Sequence, residues 1–354
     1  MKKKTRIYQQ IHMKKKIKAP DDHPPAAFTF VDICCGIGAF HHSLKRLGGK
    51  CVMACDKSEQ SRQTYESNHG VTPWHEDIYT LDKLPPHDVF CAGFPCTTFS
   101  LAGLRKGTRD KDAGGIIFKL MDLVKESLPP VIILENVPGL TSIHGGKTLK
   151  YIVKTLTGFG YEVDYRVHDA YDYGAPMHRQ RLIISATRGY SMFPECEARK
   201  IHNRQLQIKD IAIANDKIDK SYFVAQDRYV VMPKDKWYTH EGKTFIGYIT
   251  AVKYDVDDLT KISAHSQALK IYHEDSSSDN FTSTNRYAFM IDGRVRYLVP
   301  REMYSCMGFP KSFKLYDGLP SVQVRQLTNS INIFMLVPVC EWIVMPFLRL
   351  GKMK

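Results

Sequence analysis

The sequence predicts an α/β fold in which a doubly wound, Rossmann-like domain is joined to a second, smaller domain. Three observations support this interpretation. Up to about residue 188, apolar runs of strand length alternate with amphipathic stretches of about 10 to 15 residues, which is typical of βαβ units and a mostly parallel sheet. The first apolar run ends in a Gly-x-Gly turn. Beyond residue 190 the strand and helix signals become short and irregular, which indicates a separate domain.

The elements of the first domain follow one another in a regular order. The expected strands are, along the chain, "FTFVDICC", "CVMACD", the short segment "HEDIYTL", "HDVFCAGF", "VIILEN", "YEVDYRVHDA" and "RLIISAT". Helical patterns such as "IIFKLMDLVKES" lie between them. The last run, "SINIFMLVPVCEWIVMPFL", is apolar enough to require burial, and we expect it to pack back on the first domain. That domain is therefore expected to comprise residues 26–189 and 320–354.

Composition and charge limit the classes of protein to which the chain can belong. A chain of 354 residues with 43% hydrophobic residues is long enough to bury a sizeable core. The net charge is +13, and eight of the positive charges lie within residues 1–18, in a basic N-terminal tail over residues 1–25. An excess of positive charge is typical of proteins that bind a polyanion such as nucleic acid.

The sequence carries no signal for secretion or for a membrane. The charged N-terminus has no apolar segment behind it, and no uninterrupted apolar run reaches the length of a membrane span. The nine cysteines are an odd number without a C-x-x-C pair, which favours free thiols in a reducing compartment and gives no metal motif. We therefore expect a cytoplasmic or nucleoid-associated protein, or a nuclear one if the source is eukaryotic or viral.

The turn after the first strand has the features of a nucleotide-cofactor site. In "VDICCGIGAF", Gly36 and Gly38 allow the backbone to approach a ligand closely, while His41 takes the place of the third glycine of a dinucleotide fingerprint. Asp56, 20 residues after Gly36, ends the next strand, where an acid accepts hydrogen bonds from ribose hydroxyls. Asp77 follows the third expected strand and is placed to accept an adenine amino group. Together these residues predict an adenosine-containing ligand without a pyrophosphate.

A thiol and a carboxyl group are expected at the same edge of the sheet. Cys96 follows the fourth expected strand in "AGFPCTTFS", on a turn that Pro95 makes rigid, and Glu135 ends the fifth in "VIILENVPG". Ligands of open α/β sheets bind at the carboxyl ends of the strands, so both groups are offered to the adenosine crevice. An acid within reach of a nucleophile is the usual pairing in covalent catalysis.

Eight blocks in the same order resemble the cytosine carbon-5 DNA methyltransferases of bacterial restriction–modification systems. The blocks are "DICCGIGAF", "CDKSEQ", "EDIYTL", "AGFPCTTFS", "LENVPG", "YGAPMHRQRLIISA", "VPREMYSCMGFP" and "QLTNSI". The stretch from 190 to about 286 resists matching, and such families vary there and carry their target-recognition region. We therefore expect a target-recognition domain over residues 190–319. The sequence differs from the family pattern at Cys34, Thr97, Met177 and Thr328.

The resemblance implies a covalent mechanism with S-adenosyl-L-methionine as the methyl donor. Cys96 would attack carbon 6 of a flipped-out cytosine, and Glu135 would stabilise ring nitrogen 3 while carbon 5 takes the methyl group. Arg181 matches the family arginine that contacts the cytosine, and Arg179 matches the other arginine of that block. The chemistry requires no metal.

The resemblance also implies which residues bind the donor and the DNA. The implied cofactor-binding residues are Asp32, Cys34, Gly36, Gly38, Phe40, Asp56, Lys57, Asp77, Ile78, Asn329 and Ser330. The implied DNA contacts lie in the family's mobile catalytic loop and are Thr97, Ser100, Arg105, Lys106 and Arg109. Candidates for base readout in the variable region are Arg199, Arg204, Lys243, Lys253 and Arg286.

The implied partner is double-stranded DNA, bound by a monomer, with a cognate restriction endonuclease for the same site as a further partner. Two alternatives stay open at this stage. The same fold serves cytosine-5 methyltransferases that act on transfer RNA, and a homologue can lose activity while it still binds DNA. The presence of Cys96, Glu135 and Arg181 favours an active enzyme.

Overall fold

Two six-stranded sheets organise the residues that the computed structural model describes, which are 26–74, 77–95, 115–189, 205–249, 270–282 and 287–351. The strands are β1 (Phe28–Ile33), β2 (Gly49–Cys55), β3 (Val89–Gly93), β4 (Val131–Asn136), β5 (Glu162–Asp169), β6 (Gln180–Thr187), β7 (Tyr229–Val231), β8 (Tyr238–His240), β9 (Lys243–Ile249), β10 (Lys270–His273), β11 (Ala288–Ile291) and β12 (Arg294–Tyr297). The helices are α1 (Ala39–Arg46), α2 (Glu59–His69), α3 (Gly115–Ser127), α4 (Lys147–Gly158), α5 (Ile208–Ile211), α6 (Pro300–Cys306), α7 (Pro320–Thr328) and α8 (Ile333–Gly351).

The first sheet has the strand order β2-β1-β3-β4-β6-β5 and is covered by helices on both faces. β1 to β4 pair in parallel, while β6 runs antiparallel between β4 and β5. Successive side chains of a strand point to opposite faces. Val89 and Cys91 of β3 therefore pack with α1 and α8, while Phe90 and Ala92 pack with α3 and α4. This arrangement confirms the predicted doubly wound α/β fold.

One predicted strand of this sheet is not a strand in its described part, while its first two residues, His75 and Glu76, lie outside the described residues. Within "HEDIYTL", residues Ile78–Thr80 form a single 3-10 turn that begins at Asp77. The Asp77 carboxylate accepts a hydrogen bond from the Tyr79 amide at 3.4 Å, and such a local bond competes with pairing in a sheet. The strand before Pro95 is therefore the third along the described chain, and the strand that contains Glu135 is the fourth.

The apolar C-terminal helix α8 packs on the first sheet and on α1. Met335, Leu336, Val339 and Cys340 are fully buried there, together with residues of β1 and β3. By length and composition alone, the helical stretch Pro320–Arg349 could cross a membrane, and half of its apolar window is buried inside the fold. A buried core helix passes the same test, so this feature is weak support for a membrane span.

The second sheet has the order β12-β11-β10-β9-β7, with β8 paired to β9 in a hairpin. A buried ion pair joins this sheet to α6. The Arg296 guanidinium on β12 binds the Glu302 carboxylate on α6 at 2.8 Å, and both side chains are 0% exposed. The pair is completed by backbone groups, because Glu302 accepts from the Ile213 amide and Arg296 donates to the Ile213 carbonyl. Every charged atom therefore keeps a partner in the low-dielectric interior.

The two sheets meet where the chain before β6 runs beside the serine-rich segment before β11. The His178 amide donates to the Ser278 carbonyl, and the Ser278 amide donates to the Pro176 carbonyl, each at 2.8 Å. Ser276, Ser277 and Ser278 are almost completely buried. The polar run "HEDSSSDN" is thus part of the junction between the sheets.

Candidate active site

A buried carboxylate–arginine pair lies at the carboxyl edge of the first sheet. Glu135 on β4 is the register partner of Ile183 on β6, and Arg181 lies two residues before Ile183, on the same face of the sheet. The Arg181 Nε donates to Glu135 Oε1 at 2.8 Å. The Nη1 of Arg181 also donates to the Gln180 carbonyl at 2.7 Å, which fixes the orientation of the guanidinium.

Burial opposes the charged form of both members of this pair. Burial raises the pKa of Glu135, and the positive charges of Arg181 and Arg179 offset only part of that rise. Burial likewise lowers the pKa of Arg181, with Glu135 opposing the shift. A carboxyl group with a raised pKa at the edge of a cleft can act as a hydrogen-bond donor or general acid.

Asn136 connects this pair to the turn that follows β3. Its Nδ2 donates to the Phe94 carbonyl at 2.9 Å, and its Oδ1 accepts from the Val137 amide at the same distance. The side chain is 2% exposed. The backbone two residues before Cys96 is therefore held directly beside Glu135.

Several predicted site residues lie outside the described residues, and their roles stay predictions. They are Cys96, Thr97, Ser100, Arg105, Lys106 and Arg109, together with Arg199, Arg204, Lys253 and Arg286 of the base-readout candidates.

Arg179 is buried in a junction of three segments. Its Nη2 donates to the carbonyls of Thr328 and Ser330, each at 2.6 Å, and its Nη1 donates to Asn280 Oδ1. The side chain is almost completely buried, and burial holds the pKa of its guanidinium well below its usual range. The structure therefore brings Arg179 to the segment after α7, and its predicted catalytic role is untested.

The expected donor site begins at the turn between β1 and α1. The Gly36 amide donates to Asp56 Oδ2, and the Ser58 amide donates to Asp56 Oδ1, both at 2.8 Å. Gly36 has a φ of +55°, and a Cβ at this residue would meet no atom within 4 Å. Burial raises the pKa of Asp56, and the two amides oppose that shift.

Asp32 and Gly38 lie beneath this turn. Both carboxylate oxygens of Asp32 are buried, and burial raises its pKa well above the usual range, with a hydrogen bond from the His41 backbone opposing the rise. Gly38 has a φ of +88°, and a Cβ there would fall 2.3 Å from His69 Nε2. His69 stacks on the buried His41 with 4.2 Å between ring centroids. Gly38 is therefore required by packing.

The remaining predicted donor-site residues divide by burial. Phe40, Ile78 and Ser330 are buried, Cys34 is half-buried with a φ of +55°, and Lys57, Asp77 and Asn329 are exposed. Gly93 links the two parts of the site, because a Cβ there would lie 3.4 Å from Glu135 Oε2 and 3.9 Å from the Cys34 carbonyl. The carboxyl edges of β1, β3 and β4 therefore meet at one place.

A cavity of about 810 Å³ opens beside Arg181, between the first sheet and the β8–β9 turn. Val137, Gln180 and Arg181 line one side, and the turn residues Gly242 and Lys243 line the other. The Lys243 Nζ lies 2.5 Å from Asp279 Oδ1, which holds this predicted base-readout candidate at the wall of the cavity.

Sequence reasoning missed four residues that build this region. They are Asn136, Asp169, His178 and Asn280. Asn136 follows Glu135 and His178 precedes Arg179 in the chain. Their position next to predicted site residues could therefore have identified both. Asp169 matches none of the motifs in the sequence, and Asn280 gave no signal because its partner Arg179 lies 101 positions away in the chain.

The fold and the strand-end groups define a Rossmann-like methyltransferase domain. Comparison with known proteins agrees. Residues 28–344 match the profile of the C-5 cytosine-specific DNA methylases. The type II methyltransferase M.HhaI of Haemophilus parahaemolyticus is 28% identical over 316 residues, which cover 89% of this chain and 94% of that protein. The type II methyltransferase M.MspI of Moraxella sp. is 29% identical over 320 residues, which cover 89% of this chain and 70% of that protein.

Solved structures support the same fold. The Dnmt2 methyltransferase of S. pombe superposes with a TM-score of 0.66 at 20% identity, covering 90% of this chain and 99% of that one. The methyltransferase EhMeth of Entamoeba histolytica gives a TM-score of 0.65 at 17% identity over 90% of this chain and 98% of that one. The chain belongs to the C-5 cytosine-specific DNA methylase family and is a DNA (cytosine-5-)-methyltransferase.

Proposed function

We propose that this enzyme transfers the methyl group of S-adenosyl-L-methionine to carbon 5 of a cytosine flipped out of double-stranded DNA. The observation that carries the proposal is the buried Glu135 carboxyl, which Arg181 orients at 2.8 Å on the strand next to the one that leads to Cys96. A stacked base cannot be reached by a side chain at right angles to its ring, so the cytosine must leave the duplex.

In the proposed reaction Cys96 supplies the nucleophile and Glu135 the acid. The Cys96 thiolate adds to carbon 6, and the proton of Glu135 passes to ring nitrogen 3 as negative charge develops there. The electron-rich carbon 5 then takes the methyl group, while the electrons of the broken S–CH₃ bond stay on sulfur and the donor leaves as the neutral thioether S-adenosylhomocysteine. Water takes the carbon 5 proton, the bond between carbon 6 and sulfur breaks to expel the Cys96 thiolate, and the nitrogen 3 proton returns to Glu135. The raised pKa of Glu135 supports this role, because it makes the protonated form available.

The residues at the turn between β1 and α1 fit the proposed donor. When bound, S-adenosylmethionine supplies an electrophilic methyl group on a sulfonium centre. The space beside Gly36 is open, and each Asp56 oxygen accepts one amide hydrogen bond, which leaves lone pairs for ribose hydroxyls. Asn329 and Ser330 would close the pocket from the C-terminal side, on a segment that Arg179 holds by two backbone carbonyls.

The DNA is proposed to enter the cavity between the first sheet and the β8–β9 turn. The second sheet would then carry target recognition, within residues 190–319, and the catalytic domain would comprise residues 26–189 and 320–354. Arg181 and Lys243 lie on opposite walls, and each is paired with a carboxylate, Glu135 and Asp279 respectively. We propose a monomer that acts beside a cognate restriction endonuclease in the cytoplasm or nucleoid.

The first test is transfer of a labelled methyl group from S-adenosylmethionine to unmethylated genomic DNA and, separately, to total RNA. We expect label in DNA, its loss in C96S, and its retention in the matched control C51S. Cys51 is half-buried, and a serine hydroxyl can replace its thiol as hydrogen-bond donor to the Met53 carbonyl. Label in RNA alone would instead support a transfer RNA methyltransferase, and no label in either would support an inactive DNA-binding homologue.

A second test isolates the covalent step. In DNA that carries fluorine at carbon 5 of cytosine, no proton can be lost, so the adduct cannot resolve. We expect a protein–DNA complex that survives denaturation with the wild type and with C51S. Its presence with C96S as well would exclude Cys96 as the nucleophile.

A further inference from the structure

His178 connects the first sheet to the turn between β8 and β9. Its Nδ1 lies 3.2 Å from Asp169 Oδ2 at the end of β5, and its Nε2 lies 3.0 Å from the Glu241 carbonyl oxygen in the turn. The ring also stacks on Tyr171 with 4.2 Å between centroids and an interplanar angle of 20°. One imidazole therefore contacts groups from both sheets.

Both partners of this imidazole are hydrogen-bond acceptors. The Glu241 carbonyl has no proton to donate. Although burial opposes the effect, hydrogen bonds from His178 and from the amides of Tyr171 and Arg179 hold the pKa of Asp169 below its usual range, so its carboxyl is ionised. A neutral imidazole carries a single N–H and can satisfy only one acceptor, whereas an imidazolium carries two. Only the charged form can donate to both acceptors at the observed distances.

We propose that His178 is a positioning residue that acts as a doubly donating imidazolium, docks the β8–β9 turn on the catalytic sheet, and releases the turn when it loses a proton. The consequence for DNA affinity rests on the proposed function, since the turn forms a wall of the proposed DNA cleft. The protonation state itself does not depend on that function.

The β8–β9 turn packs closely on the stacked rings of His178 and Tyr171. Glu241 and Gly242 have φ values of +48° and +73°, so the backbone turns sharply at the contact. A Cβ at Gly242 would fall 2.4 Å from the Tyr171 hydroxyl oxygen, which leaves room for glycine alone. Lys243 follows directly and faces the cavity beside Arg181. Because Lys243 lies only two residues after Glu241, loss of the contact between His178 and Glu241 would also displace Lys243 at the wall of the cleft.

The charges around His178 are mixed. The charged and titratable groups that face it or its partners are Asp169 and Tyr171 from the first sheet, His240, Glu241 and Lys243 from the hairpin, and Asp279 from the serine-rich segment. Burial lowers the pKa of His178, but the bonds to Asp169 and to the Glu241 carbonyl outweigh burial and Lys243, so the pKa stands above 6.5. Docking is therefore complete below pH 6.5 and is lost as the pH rises through the raised pKa.

Two substitutions, D169N and H178Q, test whether docking of the turn depends on the proton of His178. D169N keeps an oxygen that accepts from the Tyr171 and Arg179 amides, while its amide nitrogen can donate to His178 Nδ1. A neutral imidazole then satisfies both contacts, so docking no longer requires a proton. H178Q keeps one donor for the Glu241 carbonyl, loses the contact to Asp169, and does not titrate.

The experiment has two readouts on the full chain. The first is titration of His178 in DNA-free protein by NMR with ¹⁵N-labelled histidine, assigned by comparison with H178Q. We expect a pKa above 6.5 in the wild type and below 6.5 in D169N. A wild-type value at or below 6.5, or one that D169N leaves unchanged, would overturn the proposal, whatever the enzyme methylates.

The second readout is the dissociation constant for unmethylated duplex DNA between pH 6.5 and 9. We expect the wild type to weaken by about tenfold relative to H178Q over this range, since a hydrogen bond to a charged group is lost. D169N should stay at the affinity that the wild type has at low pH. Parallel profiles for all three proteins would show that the His178 contact does not control the cleft.

Discussion

The Arg181 Nε donates to Glu135 Oε1 at 2.8 Å, and the two side chains are only 10% and 11% exposed. A second arginine–carboxylate pair on the same sheet has the same length: Arg166 Nε and Asp164 Oδ2 lie 2.8 Å apart, but these side chains are 32% and 37% exposed. The two pairs therefore differ mainly in burial, and comparing them isolates its effect.

Removing Arg181 should be far more damaging than removing Arg166. R181M leaves a buried carboxyl without its partner, and we expect the free energy of unfolding to fall by about 3 kcal/mol and methyl transfer to be lost. R166M should lower the free energy of unfolding by about 1 kcal/mol or less, even though it also removes the contact of Arg166 with the Trp342 ring. It should keep full activity. Urea denaturation and labelled-methyl transfer measure both; equal losses for the two variants would contradict the role of burial.

Asn136 should affect the rate more than the binding of the donor. N136A removes the bond to the Phe94 carbonyl, so the turn before Cys96 loses its attachment beside Glu135. We expect kcat to fall about 100-fold while the Kd for S-adenosylmethionine stays within about twofold.

The control for this prediction is N68A. Asn68 also binds backbone groups, namely the Lys314 carbonyl and amide and the Thr64 carbonyl, but at the surface between α2 and the segment after α6. Its kcat should remain near that of the wild type. A comparable fall in kcat for N68A would mean that general destabilisation, and not the turn before Cys96, explains the effect of N136A.

Two neighbouring glycines should respond differently to an added methyl group. G38A places a Cβ against His69, which is stacked on His41 and bonded to the Ile37 carbonyl, so we expect a loss of about 3 kcal/mol of stability. G36A meets no neighbouring atom and should cost only about 1 kcal/mol, for its left-handed backbone.

Binding of the methyl donor should also distinguish G36A from G38A. Because we assign the open space beside Gly36 to S-adenosylmethionine, G36A should weaken its binding by about tenfold in calorimetry. Unchanged affinity in G36A would place the donor elsewhere.

Buried histidines should make the protein sensitive to acid. Burial, followed by electrostatic repulsion between the protonated forms of His41 and His69, lowers the pKa of His41 to about 3, and burial lowers the pKa of His69 to about 4. Both stay neutral in the folded protein, while the unfolded chain takes up protons near pH 6.5. Stability is therefore complete above pH 6.5 and falls as the pH drops toward 4.

Replacing His41 should reduce this sensitivity. H41N can keep the hydrogen bond to the Tyr65 hydroxyl without titrating, and we expect the loss of stability between pH 6 and pH 5 to shrink by about 1 kcal/mol. Urea denaturation at several pH values measures this. An unchanged slope in H41N would assign the sensitivity to other groups.

Part of the fold was predictable because its signals are local. The burial of β4 along its whole length, the glycine turn after β1 and the apolar character of α8 all follow from neighbouring residues. The exception within the first sheet is the segment at Asp77, where Ile78–Thr80 form a 3-10 turn that the Asp77 side chain caps. The buried serines 276–278 also escaped prediction, because their polarity is satisfied by partners distant in sequence, such as the Thr244 amide.

The sequence by itself determined the fold class, the family and the carboxyl edge at which Glu135 lies. Turn chemistry and hydrophobic periodicity are carried by adjacent residues, so no distant partner is needed to read them. Only the tertiary structure decided which groups share protons and charge. It set Arg181 on Glu135, Arg179 on the carbonyls of Thr328 and Ser330, and His178 between Asp169 and Glu241. Apart from that between His178 and Asp169, these contacts join residues at least 46 positions apart along the chain, and burial then fixes their ionisation, which no single stretch of sequence encodes.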